Sequence, residues 1–133
     1  VFGYCIVNDV SERSWQKERG GQWIKGKSIA GPCGPYLVTK DEIEDVNNIN
    51  LTLDVNGKRR QTGNTGRMIF NFNFLISHIS QFMTLYPGTI ITTGTPAGTA
   101  MEMSFPKFLI ANDKLNLKVD YLGEQNQVVI DES

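Results

Sequence analysis

The sequence predicts an α+β domain with more strand than helix. Three observations carry that reading. Leu51, Leu53 and Val55 alternate with polar residues, as do Leu115, Leu117, Val119 and Tyr121, which is the period of two of a half-buried strand. Asn56-Gly57 follows the first of these runs and is the strongest short hairpin signal. Between Met68 and Leu85, Ile69, Phe72, Ile76, Ile79, Phe82 and Met83 recur at spacings of three and four, one face of a single long helix.

The remaining elements follow in order. Val1-Phe2-Gly3-Tyr4-Cys5-Ile6-Val7 is apolar and β-branched at its ends, fit for a buried strand. Ser11 can cap a short helix over 12–19, which Gly20-Gly21 stops. Residues 22–35 hold Gly26, Gly31, Pro32, Gly34 and Pro35 and form a loop, structured around Trp23. Tyr36–Thr39 reads as a short strand and Lys40–Ile43 as a polar turn. Lys58–Thr62 returns from the hairpin and is polar enough for a sheet edge. Tyr86-Pro87-Gly88 ends the long helix, and Thr89–Thr93 reads as a buried strand running into Gly94-Thr95-Pro96-Ala97-Gly98. Val128–Ile130 can pair with the 115–121 strand across residues 122–126. Phe70, Phe72, Phe74 and Phe82 are expected in the core, and Cys5 is expected as a small buried hydrophobe.

Composition bounds the function. The chain has 133 residues, 40% hydrophobic and 20% charged, which suits one globular domain. Thirteen basic side chains face fourteen acidic ones, a balance that argues against a nucleic-acid binder, which needs a basic face. No apolar run approaches the roughly 20 residues that span a bilayer, and the start lacks a leader pattern. Two cysteines are too few for a disulfide scaffold, and the single histidine, His78, excludes a multi-histidine metal site. His78 reads as a structural residue on the helix face. The expected setting is the cytoplasm, with no membrane and no nucleic-acid partner. The chain opens on Val1 in the middle of a strand-like run, so residues 1–133 read as a single, partial domain.

Three places could carry chemistry. Asp9 stands directly after the first strand, where a sheet fixes a carboxylate as a hard-metal ligand; the residues alone favour the plainer role of a helix-entry aspartate satisfying backbone amides. Lys27 lies in a glycine-rich loop, Gly26-Lys27-Ser28. A lysine there can stabilise an enolate or carboxylate or be a solvated loop residue. Gly21 and Gly26-Lys27 match a phosphate-binding loop by spacing, but Ile29-Ala30-Gly31-Pro32 starts a long helix poorly. Thr93-Gly94-Thr95-Pro96 suits a ligand-facing turn or a plain one.

Taken in order, these stretches resemble the C-terminal catalytic domain of the fumarylacetoacetate hydrolase family. The resemblance rests on Gly3 through Arg13, Gln16, Arg19-Gly20-Gly21-Gln22-Trp23, Lys25-Gly26-Lys27-Ser28, Gly34-Pro35-Tyr36-Leu37-Val38-Thr39, Asn64-Thr65, Pro87-Gly88, Thr93-Gly94-Thr95-Pro96 and Leu122-Gly123-Glu124-Gln125. It spans nearly the whole chain, and the ordered set is more specific than any one motif. It implies a mixed β-roll with one long helix, a homodimer, and a 2-oxo or 2,4-dioxo acid as the small-molecule substrate. It also implies magnesium or manganese held by one aspartate and a Glu-x-Glu pair. Asp9 matches the aspartate, Lys27 the active-site lysine, Gln16 a substrate-contacting glutamine and Thr95 the threonine that contacts substrate oxygens.

The sequence departs from the pattern in two places. The Glu-x-Glu pair would stand well upstream of Asp9, where only eight residues precede it, so magnesium binding by this chain is expected to be weak or absent. Relatives with the Gly-Lys-Ser loop continue Ala-Asp-Thr-Phe, where this chain has Ile29-Ala30-Gly31. The expected activity is metal-dependent hydrolysis or lysis of a C–C bond through an enolate. The alternatives are an isomerase or decarboxylase of the same family, or a non-catalytic remnant that serves as a structural or dimerisation module.

Overall fold

A computed structural model describes residues 1–17 and 31–131. It is a mixed helix-and-sheet fold, as the sequence predicts. The elements are β1 (Gly3–Tyr4), α1 (Arg13–Lys17), β2 (Val38–Thr39), β3 (Asn50–Val55), β4 (Lys58–Asn64), α2 (Phe72–Ser80), β5 (Lys114–Val119) and β6 (Gly123–Val128). Two antiparallel sheets hold the strands. One is the ribbon β1-β2; the other has the order β4-β3-β5-β6.

The four-stranded sheet is built on the predicted hairpin. Asn56 and Gly57 take φ of 51° and 73°, the left-handed pair that a two-residue turn between twisted strands requires. Asn56 then ties the turn to β5. Its backbone N–H donates to Lys114 O at 2.8 Å, and its side-chain oxygen accepts from Lys114 N at 2.9 Å. β4 lies at the sheet edge, as its polarity predicts. Its register slips between Leu53 and Asp54, which leaves Arg60 without a partner on β3, a β-bulge. Across the sheet, Leu51, Leu53 and Val55 pair with Val119, Leu117 and Leu115.

The core lies between the ribbon and this sheet. Ile6, Ile43, Ile49 and Leu122 are buried together, with Tyr4, Val38, Val46, Leu117 and Val119 packed against them. Ile43 enters the core just after a 3₁₀ turn at Lys40–Glu42, so the predicted polar turn delivers one apolar side chain inward.

Several expected elements differ. The first strand is regular only at Gly3–Tyr4 and continues as isolated bridge residues at Val7, paired with Cys33, and at Val10. β2 keeps Val38–Thr39, while Tyr36 and Leu37 stay exposed. The first described turn of α1 is capped by Glu12, whose carboxylate accepts from Ser14 N at 2.8 Å. Ser11 instead donates to Asp9 O at 3.3 Å. The long helix shortens to Phe72–Ser80 because the backbone is extended at Met68 (ψ 134°) and Asn71 caps the start, its side chain accepting from Phe74 N at 2.9 Å. The β5–β6 turn falls at Asp120–Leu122, with Tyr121 at φ 66° and Gly123 at φ 89°. The return strand therefore starts five residues earlier than Val128.

Residues 89–93 form no strand, and Ile90, Thr92 and Thr93 are exposed. An apolar β-branched run becomes a strand only where a ladder partner exists, and among the described residues this one has none. The phenylalanines also differ from expectation. Phe70, Phe74 and Phe82 are exposed and, with His78, form a row along and beyond α2: Phe70–Phe74 and Phe74–His78 are stacked at 4.7 and 5.9 Å, and His78–Phe82 meet edge-on at 5.1 Å. Only Phe72 turns inward, edge-on to Tyr4 at 5.3 Å. No helix among the described residues is long and apolar enough to cross a membrane.

Candidate functional site

Asp9 stands at the end of the strand-like run that begins with β1. Strand alternation sends Cys5, Val7 and Asp9 to one side, and all three line a small cleft of about 100 Å³. The opposite wall is the segment Ile91–Gly94. The segment that fails to form a strand therefore does bring the Thr93-Gly94 turn up to Asp9. The cleft, at about 100 Å³, is smaller than the roughly 300 Å³ at which ligand pockets begin. A larger open depression of about 450 Å³ lies at the β5–β6 turn, lined by Lys118, Asp120 and Glu124 among others. It holds none of the candidate residues and is the outer surface of a hairpin.

A polar relay fixes the Asp9 strand. Gln125 is 8% exposed on the inward side of β6, and its Nε2 donates to Gly34 O at 2.7 Å, with Ile6 O and Pro32 O at 3.3 and 3.4 Å. Gln127 Nε2 donates to Gln125 Oε1 at 2.6 Å, and Asn8 Nδ2 donates to Gln127 Oε1 at 2.7 Å. Three neutral amides thus span from β6 to the residue before Asp9. In the sequence Gln125 stands out only as the end of the Leu122-Gly123-Glu124-Gln125 stretch. The signal that could have found the relay is a pair of glutamines at inward positions of a strand, where apolar residues belong.

The other three candidates are placed differently. Thr95 is exposed, and its hydroxyl accepts from Gln61 Nε2 at 2.8 Å; the same amide donates to Pro96 O at 2.8 Å. β4 thereby holds the turn that follows Gly94. Gln16 on α1 is 2% exposed and accepts from Arg13 Nη1 at 2.5 Å. Its Nε2 has no hydrogen-bond partner among the described residues, a buried donor that costs about 1–3 kcal/mol if left so. Gln16 is not among the residues lining the cleft. Lys27 lies outside the described residues. Of the four, the structure brings Asp9 to the turn that leads into Thr95.

No three side chains among the described histidines, cysteines, aspartates and glutamates group in a way that could hold a metal ion, and among the described residues Asp9 is the only carboxylate lining the cleft. Magnesium wants about six oxygens in a strict octahedron, so these residues do not by themselves fit the ion. Burial and then the neighbouring Cys33 push the Cys5 thiol up to about 11. At the other end of the turn, Glu102 accepts from Gly98 N and Thr99 N at 2.5 and 2.9 Å, which hold its carboxyl below the usual range.

Comparison with known proteins places this geometry in a wider set. Residues 1–130 match the family described as fumarylacetoacetate (FAA) hydrolase C-terminal. A Burkholderia ambifaria protein carrying a provisional hydrolase name is 52% identical over 130 residues, which is 96% of this chain and 46% of that protein. The structure of a fumarylacetoacetate hydrolase from psychrophilic Exiguobacterium antarcticum superposes with a TM-score of 0.89 at 37% identity, covering 97% of this chain and 47% of the other. A 2-hydroxyhepta-2,4-diene-1,7-dioate isomerase from Mycobacterium marinum superposes at 0.80 and 35% identity, over 94% of this chain and 46% of its own. The chain spans just under half the length of these relatives.

Proposed function

Because this chain belongs to the fumarylacetoacetate hydrolase family, we propose that it forms part of an enzyme that cleaves a C–C bond of a 2-oxo or 2,4-dioxo carboxylic acid through an enolate. The observation that carries the reading is the cleft in which Asp9 faces the Thr93-Gly94 turn, within a chain that matches the family over residues 1–130. Bond cleavage next to a carbonyl leaves the electron pair as an enolate. In this reading Lys27 supplies the positive charge that favours it. Thr95, held by Gln61, and Gln16, whose Nε2 has no partner among the described residues, donate hydrogen bonds to substrate oxygens. Among the described residues, Asp9 is the carboxylate this cleft offers to magnesium or manganese. The free thiols Cys5 and Cys33 agree with a cytoplasmic setting. A second copy of the chain is the proposed partner.

The isomerase relative supports a second reading, in which the same enolate is reprotonated at another carbon with no bond cleaved. The test is a kinetic series on a 2,4-dioxo acid at limiting and saturating magnesium, run on protein in which this chain is joined to the upstream Glu-x-Glu carboxylates. Lys27→Met is expected to lower turnover on the order of 10²–10³-fold, the loss of one preorganised electrostatic donor, with metal dependence unchanged. Asp9→Asn is expected to raise the magnesium requirement. Near-normal turnover in Lys27→Met would remove Lys27 from the reaction, and a rearranged product in place of two fragments would favour the isomerase.

A further inference from the structure

The strand-like run carries a second chemistry that the proposed reaction does not use. Val7 pairs with Cys33 in an antiparallel bridge, bracketed by Gly34 N to Ile6 O at 3.0 Å and Asn8 N to Pro32 O at 2.9 Å. Directly opposed residues of an antiparallel pair share a face. Cys33 therefore lies on the face of Val7, and Cys5, two residues earlier, lies on it too. The two sulfurs are 3.4 Å apart. Both thiols are free; Cys33 is exposed and Cys5 half-buried.

We propose that Cys5 and Cys33 are a redox-modification site, a dithiol that closes to an intramolecular disulfide by exchange with a small disulfide of the glutathione type. The exposed Cys33 thiolate attacks one sulfur of the oxidant. A Cys33–glutathione bond forms, the oxidant's S–S bond breaks, and one glutathione thiolate leaves. Cys5 then gives its proton to water and attacks the Cys33 sulfur. The Cys5–Cys33 bond forms and the second glutathione leaves as a thiolate, which takes up a proton. Two protein thiols lose two electrons, and one disulfide becomes two thiols.

The order of events follows from the surroundings. Cys33 meets solvent, whereas burial and its neighbour disfavour the Cys5 thiolate, so Cys33 is the entry thiol and Cys5 the resolving one. Little motion is needed. The sulfurs close from 3.4 Å to about 2.05 Å, while Gln125 grips the backbone of both partners at Ile6 and Gly34. Cys5 also lines the cleft beside Asp9, which places the crosslink in its wall. The proposal does not depend on the reaction assigned to that cleft.

The test uses the full chain incubated with glutathione disulfide, then alkylated with iodoacetamide and read by intact mass and peptide mapping. Wild type is expected to lose both alkylatable thiols together, to lose two hydrogens in mass, and to yield a Cys5–Cys33 crosslinked peptide that dithiothreitol reverses. Cys5→Ser is expected to stop with one glutathione on Cys33. The proposal is overturned if wild type accumulates glutathione adducts without losing them, keeps both thiols alkylatable, or crosslinks between chains. Wild type alone decides the question if circular dichroism shows Cys5→Ser to be misfolded.

Discussion

Gln125 ties three carbonyls around the Val7–Cys33 bridge, those of Ile6, Pro32 and Gly34, to β6 with one buried amide. Removing it strands Gly34 O and leaves Gln127 Nε2 without its acceptor. Gln125→Leu is expected to cost about 1–3 kcal/mol, the penalty for buried polar groups that lose their partners, read as a lower urea midpoint with unchanged slope. A loss below roughly 0.5 kcal/mol would show that the relay is idle, since ordinary surface changes fall in that range. Glu102 makes a second prediction at this scale. Its carboxylate accepts from Gly98 N and Thr99 N, and those two bonds, the first the larger influence, hold its pKa down. A group depressed on folding contributes stability in full above its unfolded pKa, about 4.3 for glutamate. The contribution is lost as pH falls through the lower folded value. The Gly98 amide proton resonance is expected to titrate with a midpoint below about 4.3; a midpoint at or above that would mean the bonds to Gly98 and Thr99 are not kept in solution.

At the scale of elements, the 94–99 turn docks on the bulge of β4. Gly98 sits at φ 107°, and a Cβ there would lie 2.0 Å from Arg60 O, the residue the bulge leaves out of register. Gly98→Ala is expected to destabilise the protein by more than about 1 kcal/mol, because it meets both an unfavourable φ and a backbone atom. The measurement is thermal unfolding, with Gln61 side-chain resonances reporting whether Thr95 moves. An unchanged Tm would show that the turn is not docked. The β3–β4 hairpin was legible from sequence because a two-residue turn and a period of two are local signals. The Thr89–Thr93 segment was not, because strand formation depends on a partner that its own residues do not specify. The helical stripe was read correctly as apolar, yet periodicity says only that a face is apolar and not what covers it. The Cys5–Cys33 contact depends on a return of the chain that no local pattern announces. Asp9 and the Thr93-Gly94 turn were legible as strand-end chemistry, and their meeting in one cleft required the fold.

At the scale of the whole molecule, surface is the salient quantity. Among the described residues, large apolar side chains such as Ile69, Phe82 and Phe105 are exposed. Part of that surface is the row Phe70, Phe74, His78 and Phe82 along α2, apolar area of the kind that protein contacts cover. The proposed second copy is expected to be visible by light scattering, with Phe74→Glu and Phe82→Glu shifting the mass toward one chain. A wild-type protein that stays monomeric at micromolar concentrations would rule the homodimer out. The order β4-β3-β5-β6 also sets a timetable. β3 meets β4 through a tight turn, an event of about 1–10 μs. Its other neighbour, β5, is delivered only after α2 and the long stretch that follows it, and such remote pairings are slow. During that interval the free edge of β3, carrying Leu51 and Leu53, is an unpaired template for another chain. Refolding yield is therefore expected to fall as protein concentration rises, read by light scattering after dilution from urea; a yield independent of concentration would show that this edge is not a template.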